Sequence, residues 1–302
     1  MDKKFLAPIC LFVYNRLELT KQTVAALQKN FLASESELFV FSDGAKTENA
    51  SEKVNQVREY VKTIDGFKTV KIFESKENKG LATSIISGVT QILEKYGKAI
   101  VLEDDLVTSP NFLDFMNAAL DYYEHNYTVF SIAGYTPPIK NADSDVYFTQ
   151  RASSWGWATW NDRWDKIDWN VSDYEQFSRN GKLKKQFNRM GTDMCKMLND
   201  QMKGKINSWA IRWCFHQFKN NLFSVFPANS KIINIGTGND ASNTKDRFNR
   251  FYTTLDTTDC RNFIFSDKIV LEKKYLKQFL KQYSICTRIK YKILNSITIN
   301  SK

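Results

Sequence analysis

The chain has 302 residues, 42% of them apolar and 25% charged, the balance of a soluble globular protein able to bury one large domain or two modest ones. Its net charge of +10 suits anionic partners, yet no Arg/Gly repeats or compact Lys/Arg blocks accompany it, so nucleic acid is not expected as a partner. Five scattered cysteines (Cys10, Cys195, Cys214, Cys260 and Cys286), odd in number and without CxxC spacing, argue against structural zinc and a disulfide framework and for reduced thiols.

The first apolar stretch, residues 5–13, is too short to span a bilayer. It is followed by Tyr14-Asn15-Arg16 rather than by the small residues of a signal cleavage site. No other segment is long enough, so a cytoplasmic location is expected. Residues 8–14 (PICLFVY) form a β-rich run of the kind buried in a parallel sheet, and a helix is expected over 20–29. A second strand over 37–42 closes on Asp43-Gly44, and a helix over 50–63 shows Val54, Val57 and Val61 on one side. A third strand spans 69–74. The helix over 81–96 stops at Gly97, and a fourth strand, 98–102, runs straight into Glu103-Asp104-Asp105. Four strand–helix repeats of this kind imply an α/β fold with an open, mostly parallel sheet and helices on both faces.

Beyond a helix over 111–123 the pattern is mixed. Strands are expected over 129–133 and 146–149, helices over 193–203 and 208–219, and extended chain over 222–227 and 231–235. All seven tryptophans lie between Trp155 and Trp213. From residue 268 a basic amphipathic stretch begins, giving an expected division into a catalytic domain (1–265, with halves 1–125 and 126–265) and a helical tail (266–302). The tail fits two descriptions equally, a helix resting on an anionic membrane through 268–294 and a helix docked on the domain.

Ligands of open parallel sheets bind at the carboxyl ends of the strands, where Asn15-Arg16, Asp43-Gly44 and the acidic triplet all fall. Three adjacent carboxylates at the end of a buried strand repel one another and resist desolvation. A divalent cation would relieve both costs, and oxygen ligands suit Mg²⁺ or Mn²⁺. The plain alternative is a solvated acidic turn.

Residues 102–116 (LEDDLVTSPNFLDFM) resemble the metal-motif segment of GT-A fold glycosyltransferases, especially the N-acetylglucosaminyltransferase I group and bacterial family 2-like sugar transferases. Residues 8–16, Ser42-Asp43-Gly44, Asn78-Lys79-Gly80-Leu81 and residues 153–160 (SSWGWATW) extend the resemblance in order and spacing over about residues 5–245. The resemblance implies an inverting, metal-dependent transfer from a UDP-sugar to a hydroxyl of a glycan, lipid-linked or protein-linked acceptor. It makes Asp105 the direct metal ligand. Glu103 and Asp104 would shape the site and reach the donor, while Asn15, Arg16, Asp43 and Ser84 would contact the nucleotide, Asp43 through the uracil edge.

Two departures stand out. Ala210 falls where such enzymes place a catalytic carboxylate, leaving Asp200 as the expected base and Asp240 and Asp162 in reserve. Asn243 stands where they place a metal-binding histidine. Indoles pack well on sugar C–H faces, and Trp155 and Trp157, beside Ser153, Ser154 and Gly156, are expected at the acceptor. The remaining tryptophans read as core. Ala210 and Asn243 also make a non-catalytic sugar- or nucleotide-binding relative conceivable. A nucleotidyltransferase would share the fold but want a Gly-rich first loop, which Leu17-Glu18-Leu19 does not supply.

Overall fold

The computed structural model describes residues 5–236 and 248–299, with side chains as far as Ser296. Strand β1 (Ile9–Val13) is buried at all five positions, as an apolar strand covered on both faces must be. Helix α1 (Leu17–Gln28) leads to β2 (Glu37–Ser42), α2 (Glu48–Val61), the more exposed β3 (Thr69–Glu74), α3 (Leu81–Tyr96) and β4 (Lys98–Glu103). Gly97 ends α3 at φ 75°, where its amide reaches the Leu93 carbonyl at 2.8 Å. Only glycine adopts that backbone without strain.

The chain continues through β5 (Leu106–Thr108), α4 (Phe112–Tyr122), β6 (Val129–Ala133), β7 (Val146–Thr149) and β8 (Trp157–Trp160). Helices α5 (Asn161–Trp164), α6 (Tyr174–Arg179), α7 (Gly181–Phe187), α8 (Met194–Met202) and α9 (Trp209–Lys219) follow. Strands β9 (Phe223–Pro227) and β10 (Ile232–Asn234) come next, then α10 (Lys273–Leu280) and α11 (Ile285–Ile299).

Eight strands form one sheet in the order β3-β2-β1-β4-β8-β6-β9-β7. The pairings make six of them run the same way, with β8 and β7 reversed. The expected mostly parallel sheet is therefore present, with β8 turned against its neighbours. A small second sheet pairs β5 with β10 antiparallel. Alternation along β1 and β4 sends Ile9, Leu11, Ile100 and Leu102 into one core with α1 and α4. It sends Cys10, Phe12, Ala99 and Val101 into another with α3 and the tryptophans.

The Trp-rich stretch contains a strand that periodicity did not reveal. Every residue of β8 is buried, so no polar/apolar alternation marks it.

The C-terminal segment is docked. Tyr275 and Phe279 of α10 are each 1% exposed and pack with Tyr147 and Phe226. Gln282 accepts from the Tyr135 hydroxyl at 2.7 Å, and the Arg151 guanidinium stacks on Tyr283 at 3.6 Å. Of the two descriptions open for the tail, docking accounts for α10 and its junction with α11. Among the described residues no helix is long and apolar enough to cross a membrane.

Candidate active site

β1 and β4 are adjacent and parallel, with Phe12 beside Glu103. Their ends bring Tyr14-Asn15-Arg16 against the acidic triplet, but the three acids do not converge. Glu103 shares the strand face of Ala99 and Val101, toward the tryptophan core. The Asp104 carboxylate accepts from the Tyr14 amide at 3.3 Å and from Arg16. Asp105 Oδ2 lies 3.0 Å from Arg16 Nη1, and its Oδ1 accepts from the Asn234 side chain at 3.3 Å. Among the described residues no group of three His, Cys, Asp or Glu side chains is placed to hold a metal. The three carboxylates thus do not gather into one cluster among the described residues. Glu103 ends the strand, Asp104 and Asp105 lie in the turn after it, and the Arg16 guanidinium supplies the countercharge for both aspartates.

Electrostatics follow from this burial. Desolvation, then Asp105 and Asp104, push the Glu103 carboxyl up to about 8. Desolvation pushes Asp104 up to about 6 against the opposing pull of Arg16. Burial alone would lower the Arg16 pKa, but the two aspartates hold it above its usual value.

The β5–β10 pairing shapes the far wall of the site. It sets Asn234 opposite Leu106, and the Ile235 amide then donates to the Asp105 carbonyl at 2.9 Å. A Cβ on Gly236 would stand 2.1 Å from Asp105 Oδ2, so any larger residue there would push this carboxylate aside. Sequence reasoning missed Asn234 as a partner of Asp105, because 129 positions separate the two and nothing local marks the contact. Asn243 and Asp240 lie outside the described residues.

Asp43 ends β2 and is only 9% exposed. Its carboxylate accepts from the amides of Gly44, Lys79 and Gly80, each at 2.9 Å, and from the Asn78 side chain at 3.1 Å. That fills the roughly four acceptor directions of a carboxylate, so in this state Asp43 pins loop 77–80 to the sheet. Gly44 allows the close approach, since a Cβ there would sit 2.4 Å from the Glu77 backbone. Arg58 on α2, unremarked in the sequence, ties the same strand ends together. It donates to the Ser42 hydroxyl at 3.2 Å and to the carbonyls of Asp43 and Ser75 at 3.3 and 2.6 Å. Asp43, Ser75, Lys79 and Ser84 line one cleft of about 440 Å³ at these strand ends. Asn15 is half-buried in the turn that carries Arg16.

A second cleft of about 190 Å³ is lined by Trp155, Ser153, Ser154, Ala210, Phe251 and Tyr283, among others. Trp155 is half-buried there, edge-on to Tyr135 at 4.8 Å. Trp157 is not in that cleft. It is 1% exposed and packs on Trp164, Trp209 and Trp213 with centroids 5.4, 5.1 and 4.5 Å away. The acceptor expectation for Trp157 is corrected: adjacent positions on a strand face opposite ways, and those two residues beyond share a face, but Trp155 precedes β8, in the turn around Gly156 at φ 58°.

Neither described candidate base lines a cleft described above. Asp162 follows β8, whose Trp160 pairs with Lys98 at the start of β4, so it lies at the opposite end of the sheet from Glu103. Asp200 pairs with Lys196 on α8, which holds its carboxyl below the usual range, and it lines neither cleft described here. A carboxylate held low is a weak proton acceptor. Ala210 does line the second cleft, with a methyl group where a carboxylate was looked for.

In an open α/β sheet of this kind ligands bind at the carboxyl rim, which is where the carboxylates, Arg16 and the first cleft lie. The chain belongs to glycosyl transferase family 2, which it matches over residues 9–176. The matched stretch contains β1 through α5 and the start of α6, with Arg16, Asp43, Ser84 and the acidic triplet, but not Asp200. No curated protein matches the chain. Solved structures with partial similarity include the mannosyltransferase PcManGT from Pyrobaculum calidifontis in complex with GDP-Man and Mn²⁺, at 13% identity and a TM-score of 0.38 over 55% of this chain and 50% of that one. Others are S. aureus TarS 1–349, at 10% identity and a TM-score of 0.40 over 74% and 59%, and a UDP-glucose pyrophosphorylase complexed with UDP-glucose, at 11% and 0.37 over 74% and 90%. The chain spans half the length of the first of these. The family assignment rests on the sequence match. The narrower likeness to the N-acetylglucosaminyltransferase I group stays a resemblance.

Proposed function

We propose that the chain transfers a sugar from a UDP-sugar to a hydroxyl of a glycan, lipid-linked or protein-linked acceptor, with inversion and with the help of one divalent cation. The observation that carries this reading is the placement of Asp105. It stands at the end of β4, held by Arg16 and Asn234 and faced by Gly236.

Asp105 offers the hard oxygen donor that Mn²⁺ or Mg²⁺ takes, and such ions commonly use one or two carboxylates and fill their remaining positions with substrate phosphates and water. The missing Cβ at Gly236 lets the backbone approach this carboxylate closely. Asp105 would hold the cation, whose chemistry there is to stabilise charge on the departing diphosphate. Arg16 would turn from Asp104 and Asp105 toward the diphosphate as the cation takes over their charge. The cleft bounded by Asp43 and Ser84 would receive the nucleoside, with Asp43 acting through the loop it holds and Asn15 beside it. Glu103 and Asp104 would shape the floor between donor and cation.

The second cleft, with Trp155 as its aromatic wall, would take the acceptor. A base must lie within hydrogen-bond reach of the acceptor hydroxyl. Of the carboxylates weighed above, Asp240 follows Gly236 by four positions in the sequence, and we take it as the base in preference to Asp162 and Asp200. Asn243 would add a carbonyl oxygen to the cation from the same segment.

The test is a panel of nucleotide sugars, scored for metal-dependent release of the nucleotide by the full chain and by Asp105→Asn. The variant should keep its fold and lose turnover. Full activity in Asp105→Asn, or activity indifferent to chelation, would remove the metal assignment.

A further inference from the structure

Docking of the C-terminal segment leaves one face of α11 without a protein partner in the chain as described. Ile285, Ile289 and Ile293 are 58, 53 and 54% exposed. At i, i+4 and i+8 they form one continuous line along the helix. Lys290 and Lys292 are exposed on its flanks, and the helix sequence ICTRIKYKILNSITI carries no acidic residue. One flank is occupied: Asn295 exchanges hydrogen bonds of 2.9 and 3.1 Å with the Phe248 backbone, and Arg288 donates to the Thr192 hydroxyl at 3.2 Å.

Charge decides what fits the open face. Residues 268–292 hold eight basic side chains and one acidic one, Glu272, and so contribute seven of the ten excess positive charges of the chain. A branched aliphatic stripe bordered by lysines, on a helix without carboxylates, matches an interface that is apolar below and anionic above.

We propose that α11 lies in the plane of an anionic lipid surface, with its three isoleucines at the acyl boundary and its lysines among the phosphate headgroups. The proposal deepens the functional reading, on which its second half rests. Tyr283, two residues before α11, lines the Trp155 cleft, so a membrane under α11 brings that cleft beside the lipid surface. An acceptor carried on a lipid anchor then reaches Trp155 without leaving the membrane.

The experiment is co-sedimentation of the full chain with vesicles of phosphatidylcholine alone and of phosphatidylcholine mixed with phosphatidylglycerol, at low and high salt. Wild type should pellet with the mixed vesicles and release with salt, as surface electrostatics require. A triple variant, Ile285→Ser, Ile289→Ser and Ile293→Ser, should bind about ten-fold more weakly or worse, because it loses the buried apolar area. Lys290→Gln with Lys292→Gln should weaken binding to the anionic vesicles specifically. Thermal melting of each variant should match wild type. Absence of vesicle binding by wild type, equal binding to neutral vesicles, or undiminished binding by the triple variant would each overturn the proposal. So would sedimentation analysis showing that the stripe joins two copies of the chain instead. Nucleotide release from a water-soluble donor should be unchanged in the triple variant. Loss of that activity in wild type would sink the functional reading while leaving the vesicle result intact.

Discussion

Arg16 Nη1 lies 3.0 Å from Asp105 Oδ2, and the same guanidinium also bonds Asp104. One cation on the β1–α1 turn thus answers two carboxylates that follow β4. Arg16 is thus the basic partner of both aspartates at this rim.

Asp104 and Glu103 carry pKa values raised to about 6 and about 8, from ordinary values of 3.8 and 4.5. A carboxyl with a raised folded pKa favours the folded state below its unfolded pKa and loses that contribution as pH rises through the folded value. With a chelator present, the melting temperature should therefore decline between about pH 5 and pH 8. Manganese should restore more of it at pH 8 than at pH 5, which thermal melts across that range will show. An equal manganese effect at both ends would count against a cation at this rim.

Gly236→Ala should displace the Asp105 carboxylate, because the new methyl would sit 2.1 Å from Oδ2 while Arg16 and Asn234 restrain the acid from the other side. Misplacement of about 1 Å at a reacting centre costs on the order of 10²-fold in rate. Nucleotide release should fall by about that factor with little change in melting temperature. A variant as active as wild type would show that Asp105 can move without consequence.

Trp155 and Trp157 should separate cleanly. Trp157→Ala empties the centre of an indole cluster and should cost about 3–5 kcal/mol of stability, read by denaturant unfolding, with acceptor KM unchanged in whatever protein folds. Trp155→Ala should leave stability nearly intact and raise acceptor KM about ten-fold. The reverse pattern would place the acceptor elsewhere.

Arg151 and Asp193 form a bidentate pair at 2.8 and 3.0 Å, both buried. Burial works to raise the Asp193 carboxyl, and the bonds from Arg151 outweigh it, holding it below the usual range. Its stabilising contribution is present above the ordinary aspartate pKa and is lost as pH falls through the depressed one. Asp193→Asn should cost about 3–5 kcal/mol near neutrality, since it leaves Arg151 charged and unpaired. Against wild type, the difference should shrink in acid. A constant difference across pH would deny the pair its electrostatic role.

The sequence by itself determined the parts that depend on neighbours along the chain. Strands β1 to β4 and the helices between them follow from apolar runs and 3.6-residue spacing. Because parallel strands present their ends at one rim, Arg16, Asp43 and the acidic triplet could be gathered there before any coordinates. Tertiary structure alone decided what those groups touch. Asn234 and Gly236 reach Asp105 through the β5–β10 pairing, a contact across more than a hundred residues with no local signature. The reversed β8 buries Trp157 and removes Asp162 from the rim, and the turn after β4 sets Asp104 and Asp105 on Arg16 while Glu103 ends the strand. The tail was ambiguous on paper because one amphipathic pattern serves protein and lipid alike. Folding uses the apolar face of α10 for the core and leaves that of α11 open. Periodicity names a buried face, but only packing in three dimensions names its partner.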